Sequence, residues 1–155
     1  AWALLESPEI LYGFLGVSGV PEEDFTPYVV PMNFAADRSS SLIFLHTTID
    51  HDSKRNNSIM HNPRVCFSAV HPDAAMTHDG SDLPCKFSMN FRSVVAMGRA
   101  HFVGNLEERA RVLDFIVKQK SPQDIAAAAV EPAQTTICSI IRIEVEHITG
   151  MCKKG

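Results

Sequence analysis

Six short apolar runs, separated by polar turns and not by regularly alternating helices, limit what this chain can become. They are Tyr12–Ser18, Tyr28–Phe34, Leu42–Leu45, Arg64–Val70, Phe91–Phe102 and Ile141–Ile148. A parallel sheet needs a crossover of a dozen or more residues, usually helical, between successive strands. That rhythm is missing, so the runs predict a mainly β (α+β) fold: a six-stranded antiparallel barrel with two or three peripheral helices. At 155 residues the chain has the size of one domain, and 1–155 is read as a single unit.

The runs differ in character. Tyr28–Phe34 and Leu42–Leu45 are so apolar that they must be buried on both faces or line a barrel. Pro31 cannot donate to a ladder, so its strand is expected at an edge or a bulge. Gly13, Gly16 and Gly19 weaken the first run without forming a dinucleotide fingerprint. Gly98, inside the longest run, predicts a bulge or a point of close backbone approach. Ile141, Ile143 and Val145 alternate with Arg142, Glu144 and Glu146, the pattern of a half-exposed strand.

Helices are expected at Asn56–His61, at Leu106–Lys120 and from Ser121-Pro122 to Val130. The second is the most strongly specified. Asn105 with Glu108 makes a capping box, and Leu106, Ala110, Leu113 and Val117 recur at helical spacing. Ser7-Pro8-Glu9 reads as the start of a short helix, or else as the end of one before it. From His71 to Met89 the chain is polar, turn-rich and too long for a tight hairpin, and loops of that length are often functional.

Charge and composition exclude several function classes. A net charge of −4 argues against a nucleic-acid binder, whose affinity rests on clustered Lys and Arg. No apolar run approaches membrane-spanning length and no signal peptide is visible, so a cytoplasmic location is expected. Cys66, Cys85, Cys138 and Cys152 are too irregularly spaced for a disulfide scaffold and read as reduced thiols. The seven histidines lack zinc spacing, so no metal site is expected. There is no serine-hydrolase elbow and no Walker-type glycine loop.

Chemistry is concentrated between His46 and Phe67. Ser53 is a good N-cap, and the positive end of the short helix after it favours an anion. Lys54 and Arg55 follow at once, each able to add a charge-assisted bond of roughly 1.5–3 kcal/mol. An isolated basic pair would more often solvate a surface turn. Here, however, Ser53-Lys54-Arg55 is followed by Asn62-Pro63-Arg64-Val65 and preceded by a strand ending in His46-Thr47. That pattern resembles the FMN-binding split barrels of the pyridoxamine 5′-phosphate oxidase type. Pro27–Phe34 and Phe91–Ala100 resemble two further motifs of the family, in the family's order. Cys85 upstream of Phe91-Arg92-Ser93-Val94-Val95, His46 at its strand end and the closing Arg142–Gly150 are most similar to the nitroimidazole-resistance branch.

The resemblance implies a split barrel that pairs with a second copy and holds FMN in the groove between them. It implies Ser53, Lys54 and Arg55 as the phosphate grip, with Thr47 and Ser93 as hydroxyl donors. Backbone at Val30, Met32 and Asn33 would serve the isoalloxazine edge, and His46 would lie near the ring or the ribityl chain. Arg92 belongs to the same motif, although an arginine at a strand start is often a plain ion-pair partner. Cys85 is not a persuasive nucleophile, and no catalytic residue is assigned. The function implied is an FMN-dependent oxidoreductase acting on a small acceptor, a nitro-aromatic one in the nitroimidazole-resistance branch. Non-catalytic binding of a flavin, a deazaflavin or haem is the alternative. Pyridoxamine 5′-phosphate oxidase activity itself fits less well, because the chain ends Gly150-Met151-Cys152-Lys153-Lys154-Gly155 where that enzyme carries a Trp-containing, Arg-rich stretch.

Overall fold

The computed structural model describes residues 1–23, 25–49, 52–121 and 129–153. Seven strands form: β1 (Tyr12–Val17), β2 (Tyr28–Asp37), β3 (Leu42–Thr48), β4 (Arg64–Val70), β5 (Ala75–Thr77), β6 (Ser88–Phe102) and β7 (Cys138–Lys153). Six of them close a ring in the order β4-β1-β2-β3-β7-β6, because β6 also pairs with β4. Every pairing is antiparallel. The expected six-stranded barrel is therefore present, and β5 is an added short strand on the free end of β6.

The barrel is filled by alternate residues of its strands. Leu15, Phe34, Ile43, Leu45, Phe67, Ala96, Ile141 and Ile143 are all fully buried, and the Phe34 and Phe67 rings meet at 4.9 Å between centroids. Residues of opposite parity on β2, β3 and β7 point outward. Ala35, Phe44 and Ile140 then form a second core with Val112 and Ile116 of the helix α3 (Leu106–Lys120). This is why Leu42–Leu45 is apolar without alternation: both of its faces are covered. Of the capping box expected for α3 the N-cap half forms, with Asn105 Oδ1 accepting from the Glu108 N–H at 2.9 Å, while the Glu108 carboxylate accepts from Arg142 at 3.3 Å. At its far end Gln119 accepts from the Ala36 N–H at 2.9 Å and donates to the Ala36 carbonyl at 2.8 Å.

Gly98 is where β6 and β7 shift register, and a Cβ there would sit 2.0 Å from the Glu144 carbonyl oxygen. Both halves of its sequence reading hold together, the bulge and the close approach. Pro31 pairs with Phe14 of β1, while the ladder from β2 to β3 begins only at Phe34. The proline thus lies where β2 is an edge.

Of the two readings of Ser7-Pro8-Glu9 the second holds, and two other expectations need correction. Ser7-Pro8-Glu9 does not start a helix: the Ser7 hydroxyl accepts from the Glu9 N–H in a turn, and the helix is α1 (Trp2–Leu5) just before it. Lys120 takes the Leu5 and Ser7 carbonyls that a continuing helix would need, at 2.7 and 2.8 Å. The stretch His71–Met89 is not all loop, since it contains β5, a 3-10 turn at Pro84–Lys86 and the start of β6. The ladder there is made by backbone, with Met76 and Met89 both exposed, so no apolar alternation announced it. β7 also runs beyond Ile141–Ile148 at both ends: its C-terminal extension is an exposed ladder of the same kind, while its N-terminal extension, Cys138–Ile140, is buried. Most of the helix expected over 121–130 lies outside the described residues.

Candidate functional site

The polar turn after β3 leads into α2 (Lys54–His61). Ser53 stands in the extended conformation of an N-cap (φ −66°, ψ 138°), and its hydroxyl accepts from the Asn56 N–H at 3.3 Å. Lys54 and Arg55 are therefore the first two residues of the helix, at the positive end of its dipole. Both side chains reach β2. The Lys54 ammonium lies 5.7 Å from the centroid of the Tyr28 ring. Arg55 donates from Nη1 to the Met32 sulfur at 3.7 Å, and from Nε to Asn56 Oδ1 at 3.1 Å. Asn56 and Ser58 are buried with Ile59, which fixes the helix against the barrel.

Strand β2 meets this helix with an open edge. Tyr28–Asn33 pair with β1, but on the other side the pairing with β3 covers only Phe34–Asp37. Among the described residues, β2 and β3 part between Asn33 and His46, one position beyond the pair Phe34 and Leu45. Val30 and Met32 lie in the parted stretch, and Asn33 is exposed at its end. His46 and Thr47 continue β3 there, paired on their other side with Ile140 and Ser139 of β7. Burial holds the His46 imidazole below the usual histidine range, so it is neutral at pH 7. The structure thus gathers Ser53, Lys54, Arg55, Val30, Met32, Asn33, His46 and Thr47 around one split in the barrel wall.

Arg92 and Ser93 lie elsewhere. Pro31 of β2 pairs with Phe14, Phe14 with Ser68 and Ser68 with Val95 of β6, so β2 and β6 are three strand spacings apart. On a closed ring of six strands that is the opposite wall of the barrel. Arg92 is in an ion pair with Asp73 at 2.6 Å and lies against the ring of His71 at 2.9 and 3.0 Å. These contacts hold the Asp73 carboxyl below the usual range, with the Arg92 bond the largest cause. Ser93 lines a cleft of about 770 Å³ beside them. His71, buried and bracketed by Glu9 and Asp73, went unnoticed in the sequence. Only the carboxylate two residues after it, in His71-Pro72-Asp73, gave any sign. Cys85 is exposed on the Pro84–Lys86 turn.

An anion grip at a capped helix and a bare strand edge beside it are what a phosphorylated, hydrogen-bonding planar ring requires. The donor set here fits such a group. The sequence profile of the family described as pyridoxamine 5′-phosphate oxidase matches residues 1–151. The chain belongs to that family. Among solved structures this family member is similar to a proposed 5-nitroimidazole antibiotic resistance protein of Bacteroides thetaiotaomicron, with 21% identity over 92% of this chain and 77% of that one and a TM-score of 0.71. It is also similar to a flavocytochrome of Azotobacter vinelandii, with 17% identity, 99% and 65% coverage and a TM-score of 0.74. A FAD- and haem-binding protein of Mycobacterium smegmatis matches at 13% identity, 99% and 70% coverage and a TM-score of 0.76. At these identities the likeness is one of fold. No curated protein matches the chain in sequence. Among the described residues no group of three or more His, Cys, Asp or Glu is placed to hold a metal ion, and no helix is long and apolar enough to cross a membrane.

Proposed function

We propose that this split barrel binds FMN between two copies of itself and serves the reduction of a small acceptor, with nitro-aromatics the class to try first. The observation that carries the reading is the serine-capped start of α2, with Lys54 and Arg55, set beside the open edge of β2. Lys54, Arg55 and the Ser53 and Thr47 hydroxyls would hold the phosphate. Backbone of Val30, Met32 and Asn33 would bond the ring edge, and His46 would present a neutral imidazole to the ring or ribityl chain. FMN, once bound, supplies the hydride or electrons. The chain's own part is to hold, orient and shield it.

Two observations support a second copy. Tyr12, Phe14, Val29 and Met97 leave an apolar stretch of the outer barrel wall in water. Arg92 and Ser93 also stand on the barrel wall opposite β2, away from the split that the other site residues surround. Across a two-fold axis, Ser93 of one copy would meet the split of the other, and Arg92 would stand behind it. The four cysteines are unpaired, which suits a reducing compartment such as the cytoplasm.

The absorbance spectrum of the purified protein tests the cofactor: flavin bands support the proposal, and a Soret band would replace FMN by haem. A titration of the FMN-free protein with FMN then tests the site. Lys54→Ala with Arg55→Ala should weaken binding by about 3 kcal/mol, or about 160-fold. An unchanged affinity would remove these residues from the site.

A further inference from the structure

The cleft of about 770 Å³ lies between the N-terminal segment and strands β6 and β7, apart from the split that holds the proposed phosphate grip. Its volume falls within the roughly 300–1,000 Å³ of small-molecule sites, which are mostly apolar with a few placed polar groups. The walls follow that plan. Leu4, Pro8 and Met151 supply apolar surface, and Glu9, His71, Arg92 and Ser93 supply the polar groups. Leu5 and Ile10, buried in the main core on either side of Pro8, pin the segment, so the cleft is a fixed feature of the fold.

Arg92 is the group of this wall with bonds to spare. The His71 N–H donates to the Arg92 carbonyl at 2.9 Å, and the buried His71 ring lies against Nη2 at 2.9 and 3.0 Å. Asp73 accepts from Nη2 at 2.6 Å, and Glu9 holds the ring from its other side, 2.6 Å from Nε2. Every one of these guanidinium contacts runs through Nη2. The N–H groups of Nε and Nη1 have no partner among the described residues, and a guanidinium can only donate. A planar donor seated in this way has already lost the freedom that binding would otherwise cost it. Charge narrows the ligand further. Asp73 answers the charge of Arg92, and Glu9 and Asp73 flank His71, so the side chains of the wall leave no positive charge unmatched. An anion would gain a bond from Arg92 but meet two carboxylates, whereas an uncharged oxygen would gain the bond alone. We propose that the cleft binds a small uncharged aromatic ring through an acceptor oxygen, with Nε or Nη1 of Arg92 as the donor and Met151 against the ring. The inference deepens the proposed function, because Ser93 of the same wall is the residue that the proposed dimer turns toward the partner's split. It rests on that reading only for the ring's being the electron acceptor.

4-Nitrobenzyl alcohol and 4-nitrobenzoate carry the same ring without and with a negative charge. Each can be titrated into the protein as purified while amide NMR shifts are followed; no reductant is added, so the ring is bound and not turned over. The alcohol should shift the amides of Ser93, Met151 and Cys152 and bind about tenfold more tightly than the benzoate. Arg92→Met, at a half-exposed position, should weaken binding of the alcohol by roughly tenfold, the factor of one bond from a charged donor. The absorbance spectrum of the same sample shows whether flavin is present. Ring binding at the cleft in a protein that takes up no FMN would therefore sink the cofactor reading and leave this inference standing. Wild-type shifts that are absent from β6 and β7, or centred on Ser53–Arg55 and Val30–Asn33, would overturn it. So would equal affinity for the benzoate, or a folded Arg92→Met variant that binds the alcohol as well as the wild type does.

Discussion

Phe44 and Ile140 lie on the outer wall of the barrel, and so do Phe14 and Val29. The first two are 8% and 0% exposed beneath α3, and the second two are 44% and 60% exposed. Both stretches were built by the same strand alternation, which turns every second residue outward. The chain supplies a helix for one and leaves the other bare. An uncovered apolar wall of this kind is characteristic of an interaction surface. The comparison therefore separates what the single chain needs in order to fold from what, in the proposed dimer, it keeps for a second copy.

Mutations can break that comparison from either side. Ile140→Ala, under α3, should cost about 3 kcal/mol in urea unfolding, because a fully buried side chain is removed and a cavity left. Phe14→Asp, on the bare wall, should leave the barrel folded by circular dichroism. In sedimentation it should drive the proposed dimer to monomer, with a loss of about 2 kcal/mol or more in association, the scale of an interface hot spot. A variant that stays dimeric would mean that the bare wall is not the contact.

His46 sharpens the comparison, since it stands where the covered side gives way to the split. Its imidazole is held below the ordinary histidine value by burial, so the unfolded chain binds the proton more readily than the folded one. The wild type should lose stability as pH falls below about 6.5, and His46→Gln should lack that part of the loss. Urea midpoints of both proteins at neutral and mildly acid pH give the result. A constant gap between them would show that the ring is not kept neutral by its surroundings. The smallest effect belongs to the β2–β3 turn, where Ser41 has a positive φ of 58°. Ser41→Gly should stabilise the protein by about 0.5–1 kcal/mol in thermal melts, as the left-handed strain is relieved.

The barrel was legible in the sequence because its strands are defined by burial. Leu15, Phe34, Leu45, Phe67 and Ile143 all fall within runs that composition alone marks out. The parts that escaped are held by other means. β5 and the C-terminal end of β7 rest on backbone ladders without apolar alternation, and α1 is a single turn whose Leu5 carbonyl accepts from the distant Lys120. The grip half of the candidate site was legible for a different reason: capping chemistry and two adjacent cations are local, so Ser53-Lys54-Arg55 can be read in order. The position of Arg92 and Ser93 across the barrel depends on register through β1 and β4, which no local pattern encodes. The His71 cluster joins residues 9, 71, 73 and 92, and contacts so distant along the chain leave almost no trace in it.

The amide of Gln119 offers Ala36 a donor and an acceptor side by side, as a neighbouring peptide group would. To the strand, α3 is therefore a one-residue counterfeit of another strand as well as an oily lid. Grease tolerates sliding, but a paired amide does not. A slip of the helix by a single position would forfeit both bonds at once and leave a peptide unit with nothing to bind, so the helix is indexed to the sheet like a key cut for one notch.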